Sequence, residues 1–427
     1  MIQPLKSEPS VWSLCWVDLK EPLPVEGDFY LPTILLLAGP QFEPLAPPGI
    51  FAELDQIQAE EWLARIFDDI GTPDELLVWR ADEWVPGDWK YFARDWKTKV
   101  KIVTPPPHEA RMQSELATAG RSSGKSAPSV SRAEISEGLV RNVRRVRSQR
   151  KRRSSLEKAV ELDQANTAAR MELSEMEFHA GRYTRSLELA REVEQIDAPR
   201  FRRGHADWWT DHATRPLLRS LFGQMLCQWH LGRSPDAADS GRRLLEIDAT
   251  DHLGARFYTP LFLLLAGEQD DAIAFFRSYA QRYPGDMPNA WLSFAWALAL
   301  CLEGDDQGAR QKYREGMMAN IYIAPRLLGE RQPPEDIYHP SEREEPLPAA
   351  DFAGSFGMLW EREAGAMRVL RDAYAELRPV LEELVARRAK MADFMDHRYD
   401  PDYRAKWSKL LDEDEKFVAA VIAGSSV

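Results

Sequence analysis

Cysteine is scarce in this chain of 427 residues: Cys15, Cys227 and Cys301 stand far apart, each among apolar neighbours. That spacing excludes a disulfide framework and a zinc knuckle, and reads as three small buried hydrophobes in a reducing compartment. Long apolar runs are missing too. The longest, Ala290 to Leu302, covers about 13 residues, against the roughly 18 to 20 that a membrane-crossing helix needs. The opening MIQPLKSEPSVW lacks the basic-then-apolar order of a signal peptide. A cytoplasmic protein with no membrane partner is therefore expected. The eight histidines show no metal-ligand spacing, and His205 and His212 merely flank Trp208 and Trp209 in an expected inter-helix loop. No GxGxxG, P-loop, GxSxG or HExxH pattern occurs, so neither a cofactor nor a catalytic centre of those classes is expected. Positive charge is in deficit: the formal net charge of -13 argues against indiscriminate nucleic-acid binding by the whole molecule.

What is present is an ordinary folded composition, 44% hydrophobic and 29% charged, long enough for two or three domains. Residues 1–104 read as a small α/β domain. Trp12 to Leu19, Tyr30 to Ala38, Glu75 to Arg80 and Val100 to Val103 are strand-like, and the intervening KEPLPVEGD reads as a turn. Ala52 to Asp69 places Leu54, Ile57, Trp62, Leu63 and Ile66 on one helical face, and Gly87 to Trp96 is a short helix or turn. Seven of the 14 tryptophans fall in these first 96 residues. They either build an aromatic core, which is the default, or expose an aromatic surface.

From Pro105 the chain becomes rich in Pro, Ser, Gly and Ala, a linker composition, and ends in VRNVRRVRSQRKRR (Val140 to Arg153), where eight of 14 residues are basic. The linker is expected over 105–153. Beyond it four segments share one grammar: an apolar helix, a glycine, a polar turn, and a second helix with a small residue five positions after that glycine. The glycines are Gly181, Gly232, Gly267 and Gly304, and the small residues Ser186, Ala237, Ala272 and Ala309. Glycine suits the left-handed backbone of a tight helix exit, and a small residue suits the close crossing of two helices. The intervals 232 to 267 and 267 to 304 lie near the ~34-residue tetratricopeptide period. Phe276 and Pro284 stand where that repeat has an aromatic and a helix-ending proline. The fold class expected is mainly α: a tetratricopeptide-like hairpin stack over 154–328, a Pro/Glu-rich loop over 329–350, and a C-terminal helical cap over 351–427. In the cap, two helices broken near Pro379 precede a last helix over 401–423.

Thr214 to Gly329 also resembles the tetratricopeptide-like region of the suppression-of-tumorigenicity family and its bacterial relatives. The resemblance rests on LGARF (Leu253 to Phe257) after an acidic turn and on ANIYIAPRLLG (Ala319 to Gly329), and extends toward Trp360 and Ala364–Arg368. It implies a helical-repeat fold and no established chemistry. Animal members are membrane-associated, and this chain departs from them in having no apolar membrane segment. The N-terminal part is similar in layout to an uncharacterised α/β domain of bacterial proteins.

Three places are candidates for function. Arg219, Phe222, Leu226, Trp229 and His230, with Phe257, Tyr258, Leu261, Trp291, Phe294 and Leu298, are expected to line the groove of the stack. That set is apolar and lacks the basic clamp that would grip a peptide carboxylate. Either the C-terminal helices fill the groove, or a partner helix docks there. The basic block, Arg141, Arg144, Arg145, Arg147, Arg150, Lys151, Arg152 and Arg153, is either a solvated linker end or a site for an anionic partner. Asp18 and Asp82, with Asp68 or Asp69, are placed for metal-assisted phosphodiester chemistry only if the strand ends converge. The expected function is a non-catalytic scaffold for another protein. The alternative is a nucleic-acid-binding or processing protein using the basic block.

Overall fold

In a computed structural model of the chain, residues 10–25, 28–40, 43–52, 54–79, 89–103, 130–201, 208–283 and 289–424 are described, and the chain divides into two units, Met1–Ala180 and Gly181–Val427.

The first unit is organised by Val11–Asp18 (β1). Alternation sends Leu14 and Trp16 to one face and Cys15 and Val17 to the other, and all four are buried, as befits a strand covered on both sides. β1 pairs antiparallel with Thr33–Ala38 (β4) and parallel with Glu75–Trp79 (β6). Gly49–Phe51 (β5) and Lys99–Val103 (β7) complete the order β5-β4-β1-β6-β7. Leu23–Val25 (β2) and Asp28–Tyr30 (β3) form a separate antiparallel ribbon where a plain turn was expected. Gln56–Ile70 (α1) starts at a capping box: Gln58 N–H donates to the Asp55 carboxylate (2.8 Å) and Asp55 N–H to Gln58 Oε1 (3.1 Å). Its Ala59, Leu63 and Phe67 join Leu14, Trp16, Leu35, Leu37, Leu76 and Val78 in one core, with Trp89 and Phe92 of Trp89–Asp95 (α2). Trp16, Trp79 and Trp89 are buried, while Trp12, Trp62 and Trp96 pack against this core, so these tryptophans are core residues. Trp84 lies outside the described residues.

The expected linker is not a linker at its basic end. Residues 104–129 lie outside the described residues, but Arg132–Asn142 (α3), a 3-10 turn Val143–Arg145, Gln149–Leu162 (α4) and Thr167–His179 (α5) are helical members of the first unit. The overlooked signal is a second capping box, in which Ser131 Oγ accepts from Glu134 N–H at 3.2 Å and the Glu134 carboxylate accepts from Ser131 N–H at 2.7 Å. α3 crosses β3 closely: a Cβ on Gly138 would lie 3.1 Å from the Phe29 ring, and Asn142 Nδ2 donates to the Phe29 carbonyl at 3.3 Å.

The second unit runs through Tyr183–Asp197 (α6), Arg215–His230 (α7), Ser234–Ile247 (α8), Thr259–Ala266 (α9), Gln269–Arg282 (α10), Ala290–Glu303 (α11) and Asp306–Ala319 (α12). Gly181, Gly232, Gly267 and Gly304 all sit in the left-handed region, with φ of 71°, 72°, 79° and 82°. After Gly232, Gly267 and Gly304 the next N–H closes onto the carbonyl of Gln228, Leu263 or Leu300, which ends each helix abruptly. Ser186, Ala237, Ala272 and Ala309 are at most 1% exposed. Successive hairpins are also latched by charge: Arg242 pairs with Glu268 beside the next turn glycine, and Arg277 pairs with Glu303 beside the one after.

Beyond the hairpins come Ile323–Leu328 (α13), Pro346–Phe356 (α14), Met358–Glu361 (α15), Ala364–Met395 (α16) and Tyr403–Ile422 (α17). The expected break at Pro379 is absent, and α16 runs unbroken through it. Missing one N–H costs an interior helix about 3 kcal/mol, but the buried stripe Val369, Leu370, Ala373, Leu377, Leu381 and Leu384 continues across the proline. At roughly 1.5–3 kcal/mol per buried aliphatic side chain, that stripe outweighs the lost bond.

Candidate functional site

Helices α7, α9 and α11 bring the expected aromatic positions onto one side of the stack. Phe222 meets Tyr258 edge-on at 6.1 Å, and Tyr258 meets Trp291 at 5.9 Å. Phe257, in a 3-10 turn before α9, is covered by the guanidinium groups of Arg256 (4.2 Å) and Arg343 (5.7 Å). Arg219 is half-buried on α7, and His230 is exposed and stacked on Tyr183 at 4.3 Å. Leu261, Phe294 and Leu298 are at most 1% exposed and belong to the core.

The groove is filled from within the chain. α14 inserts Phe352 and Phe356, and α15 adds Trp360; all three are fully buried. Phe356 stacks on Trp229 (5.3 Å, 9°) and meets Trp291 at 5.9 Å. Phe352 packs on Trp291 (5.5 Å) and Phe294 (6.0 Å). Trp360 Nε1 donates to Tyr313 Oη at 2.8 Å, so the one polar atom of the insertion is satisfied. Spaced four residues apart on helical backbone, Phe352, Phe356 and Trp360 share one face. Of the two readings of the groove, the self-filled one describes this structure. Phe294 and Trp229 are covered because the insertion removes a large apolar area from water.

Two residues of ANIYIAPRLLG deliver that insertion. Asn320 Nδ2 donates to the carbonyls of Arg343 (2.9 Å) and Glu345 (3.1 Å), and its Oδ1 accepts from Tyr322 N–H at 2.9 Å. Tyr322 Oη donates to the Pro334 carbonyl at 2.7 Å and lies 3.0 Å from His339 Nε2. Burial pushes the Tyr322 phenol up to about 12, which keeps it a neutral donor. Further on, buried Arg388 binds Glu344 (2.8 Å) and Asp414 (3.2 Å), tying the loop before α14 to α16 and α17.

The basic block is engaged with acids of its own unit. Arg141 and Arg145 reach Asp28 at 4.0 and 3.5 Å, Arg144 reaches Glu172 at 3.2 Å, and Arg153 pairs with Glu177. Arg152 donates to the Val146 carbonyl, while Arg147 and Arg150 are exposed at the turn into α4 and on its first turn. Lys151 is the deepest of them, with its ammonium on Thr33 Oγ1 and 3.8 Å from Asp18. Asp18 in turn accepts from Thr33 Oγ1 at 2.7 Å. The Asp18 carboxylate, weighed as a metal ligand only in the alternative reading, is thus occupied by a lysine and a threonine. Asp68 and Asp69 are exposed at the end of α1, and Asp82 lies outside the described residues, as do Pro284, Arg202, Arg203 and His205. Among the described residues no group of three or more His, Cys, Asp or Glu is placed to hold a metal ion. Burial pushes the Cys15 thiol up to about 12 and Cys301 up to about 11, which leaves neither as a thiolate nucleophile at neutral pH.

One open concavity of about 520 Å³ lies elsewhere on the second unit, walled by α6 and α8 and floored by α7. Gln224 and Gln228 form its floor. At 100° per residue they face away from Phe222, Leu226 and Trp229.

Residues 146–200 match the tetratricopeptide repeat family. The match begins inside the basic block, ahead of the repeat boundary expected at residue 154. Among curated proteins nothing matches the chain. Among solved structures the chain is similar to YrrB, a tetratricopeptide-repeat protein with an unusual peptide-binding site, at 14% identity and a TM-score of 0.33, over 47% of this chain and 90% of that one. Among the described residues no helix is long and apolar enough to cross a membrane.

Proposed function

We propose that the protein is a non-catalytic scaffold that holds another protein through its helical-repeat unit. The observation that carries this reading is the recurrence of one hairpin device: a left-handed glycine with a small residue buried five positions later. Repeats of that kind stack into extended surfaces suited to binding. The tetratricopeptide match over 146–200 supports it as well. We further read Thr214–Gly329 as related to the suppression-of-tumorigenicity family. What supports this is that both quoted segments have structural work to do. In the first, Asp251 caps Ala255 N–H at 2.8 Å and binds Arg256 at 3.0 Å, and in the second Asn320 and Tyr322 hold the C-terminal insertion. A cytoplasmic location fits three unpaired thiols. The α/β part is read as structural, which fits the engagement of Asp18 by Lys151 and Thr33.

The test is affinity capture of the full chain from its native extract, with and without nuclease. A protein partner retained at stoichiometric level after nuclease supports the scaffold reading. Recovery of nucleic acid, or loss of every partner with nuclease, overturns it and returns function to the basic block.

A further inference from the structure

The sheet of the first unit ends on a strand with one side unpaired. Lys99–Val103 (β7) closes the order β5-β4-β1-β6-β7, so among the described residues no strand lies on its outer side. Lys99 N–H donates to the Asp74 carbonyl at 3.0 Å and therefore points toward β6. Successive peptide groups of a strand point to alternate sides, which turns the N–H and C=O of Val100 and Ile102 outward. An edge of that kind is a template for a further strand.

The side chains of β7 make two unlike faces. Val100 and Ile102 stand in register with Leu76 and Val78, which lie in the core. Val100 packs against that core, while Ile102 is 38% exposed. Lys99 and Lys101 project from the opposite face, and both are exposed. Lys101 pairs with Glu75 at 2.8 Å, and Arg94 of α2 pairs with Asp95 at 3.0 Å. Asp74 accepts from the Ser10 N–H (2.8 Å) and hydroxyl (3.1 Å). Among the described residues Lys90, Lys97 and Lys99 are left without a carboxylate partner. Lys97 joins α2 to β7 with φ of 54°, in the left-handed region that glycine enters more easily. Lysine held there against backbone preference sets a cation at the start of the edge.

We propose that the outer edge of β7 docks an extended acidic peptide segment of another protein as an added strand, matching the five residues of β7. The outward N–H and C=O of Val100 and Ile102 hold its main chain. Cross-strand neighbours share a face, so the segment alternates acidic side chains beside Lys99 and Lys101 with apolar ones beside Ile102. A second copy of β7 does not fit, because it would set lysine against lysine, the usual guard against self-pairing of edges. A nucleic acid would meet the charges but leave the outward peptide groups and Ile102 unmatched. The exposed ring on α2, Tyr91, already carries the Arg94 guanidinium at 5.4 Å. The site belongs to the α/β unit and does not depend on the scaffold reading of the repeats.

Fluorescence anisotropy of the full chain with labelled heptapeptide amides tests it. The probes are Thr-Glu-Val-Glu-Val-Glu-Thr, its lysine counterpart Thr-Lys-Val-Lys-Val-Lys-Thr, and Thr-Glu-Pro-Glu-Pro-Glu-Thr, which keeps the charge but lacks two N–H groups. A labelled heptathymidylate is the nucleic-acid probe. The acidic valine peptide is expected to bind saturably, and about ten-fold or more tightly than each of the others, the equivalent of one or two hydrogen bonds. Ile102→Pro removes an outward N–H and leaves the ladder to β6 intact, so binding should fall to the level of the proline peptide. Lys97→Gly relieves the left-handed backbone, so its melting temperature should hold or rise, while binding weakens about two-fold or more. Equal binding of the valine and proline peptides, equal binding of the acidic and lysine peptides, or no saturable binding overturns the proposal. Heptathymidylate binding as tightly as the valine peptide marks a general anion surface and overturns it too. Full binding by Ile102→Pro has the same consequence, and if that variant does not fold, full binding by Lys97→Gly decides against the edge. Probe binding is read without any captured partner, so a failure here leaves the scaffold reading standing.

Discussion

Replacing Phe352 by alanine asks whether the helix in the groove is core or a removable strap. Its ring is fully buried among Trp291, Phe294, Phe356 and Trp360, at centroid distances of 5.5, 6.0, 5.7 and 5.5 Å. Truncation of a buried phenylalanine costs about 3–5 kcal/mol through lost transfer energy and the cavity left behind. Four aromatic neighbours place this residue toward the upper end, since each such pair adds about 0.5–1.5 kcal/mol beyond its area. For a unit of this size, 1 kcal/mol lowers the melting temperature by about 2–4 °C, so a drop of roughly 6–20 °C is expected. Thermal unfolding followed by tryptophan fluorescence reads it directly, because Trp229, Trp291 and Trp360 report from the same contact. A drop below about 2 °C, with emission shifted to the red, would refute the reasoning: α14 would then be loosely held and the groove open to a partner.

Asn320→Ala removes the donor to two carbonyls and should destabilise the second unit by about 1–3 kcal/mol, read as a fall in the urea midpoint at constant slope; an unchanged midpoint would mean the clamp is incidental. Lys151→Met leaves the half-buried Asp18 without its cation and should cost the first unit about 1–3 kcal/mol. If stability is unaltered, Lys151 is a spare surface charge and the anion-binding reading regains ground. Asp248 tests the acid limb of stability. Burial alone would raise its carboxyl, but hydrogen bonds from Thr250 and from the His252 N–H and ring hold it below the usual 3.8. A depressed folded value contributes stability above the unfolded value that is lost as pH falls through the folded one. Asp248→Asn should therefore be less stable than wild type at pH 7 and lose less on acidification below about pH 4; parallel pH profiles for the two proteins would contradict this.

The hairpins were legible in the sequence because their signals are local. A left-handed turn needs glycine and a close crossing needs a small residue, whatever the rest of the chain does, so Gly232 with Ala237 and Gly304 with Ala309 announce themselves. The strands β1, β4 and β6 declared themselves through short apolar runs with β-branched and aromatic content for the same reason. Helix α3 was also written locally, in Ser131 and Glu134, but the Gly- and Ser-rich stretch before it and the basic run after it masked the capping box. Composition reports the average of a segment, whereas a cap is two residues. Pro379 failed in the opposite sense: a local helix breaker was overruled by an apolar stripe that pays off only when packed.

The site was a tertiary decision throughout. Phe222, Trp229 and Trp291 read as groove residues from their register, yet whether a groove face meets a partner or Phe356 of the same chain depends on a segment more than a hundred residues from Trp229 and on the Asn320 and Tyr322 clamp. The basic block read as free charge because its partners Asp18, Asp28 and Glu177 are brought to it only by folding. The open cleft, likewise, is a gap between α6, α7 and α8 that exists only once those helices are packed. Sequence alone determined which residues turn, cross and bury, since those demands act over a few neighbours. Which faces stay uncovered was settled by the folded chain, because coverage is a property of distant residues meeting.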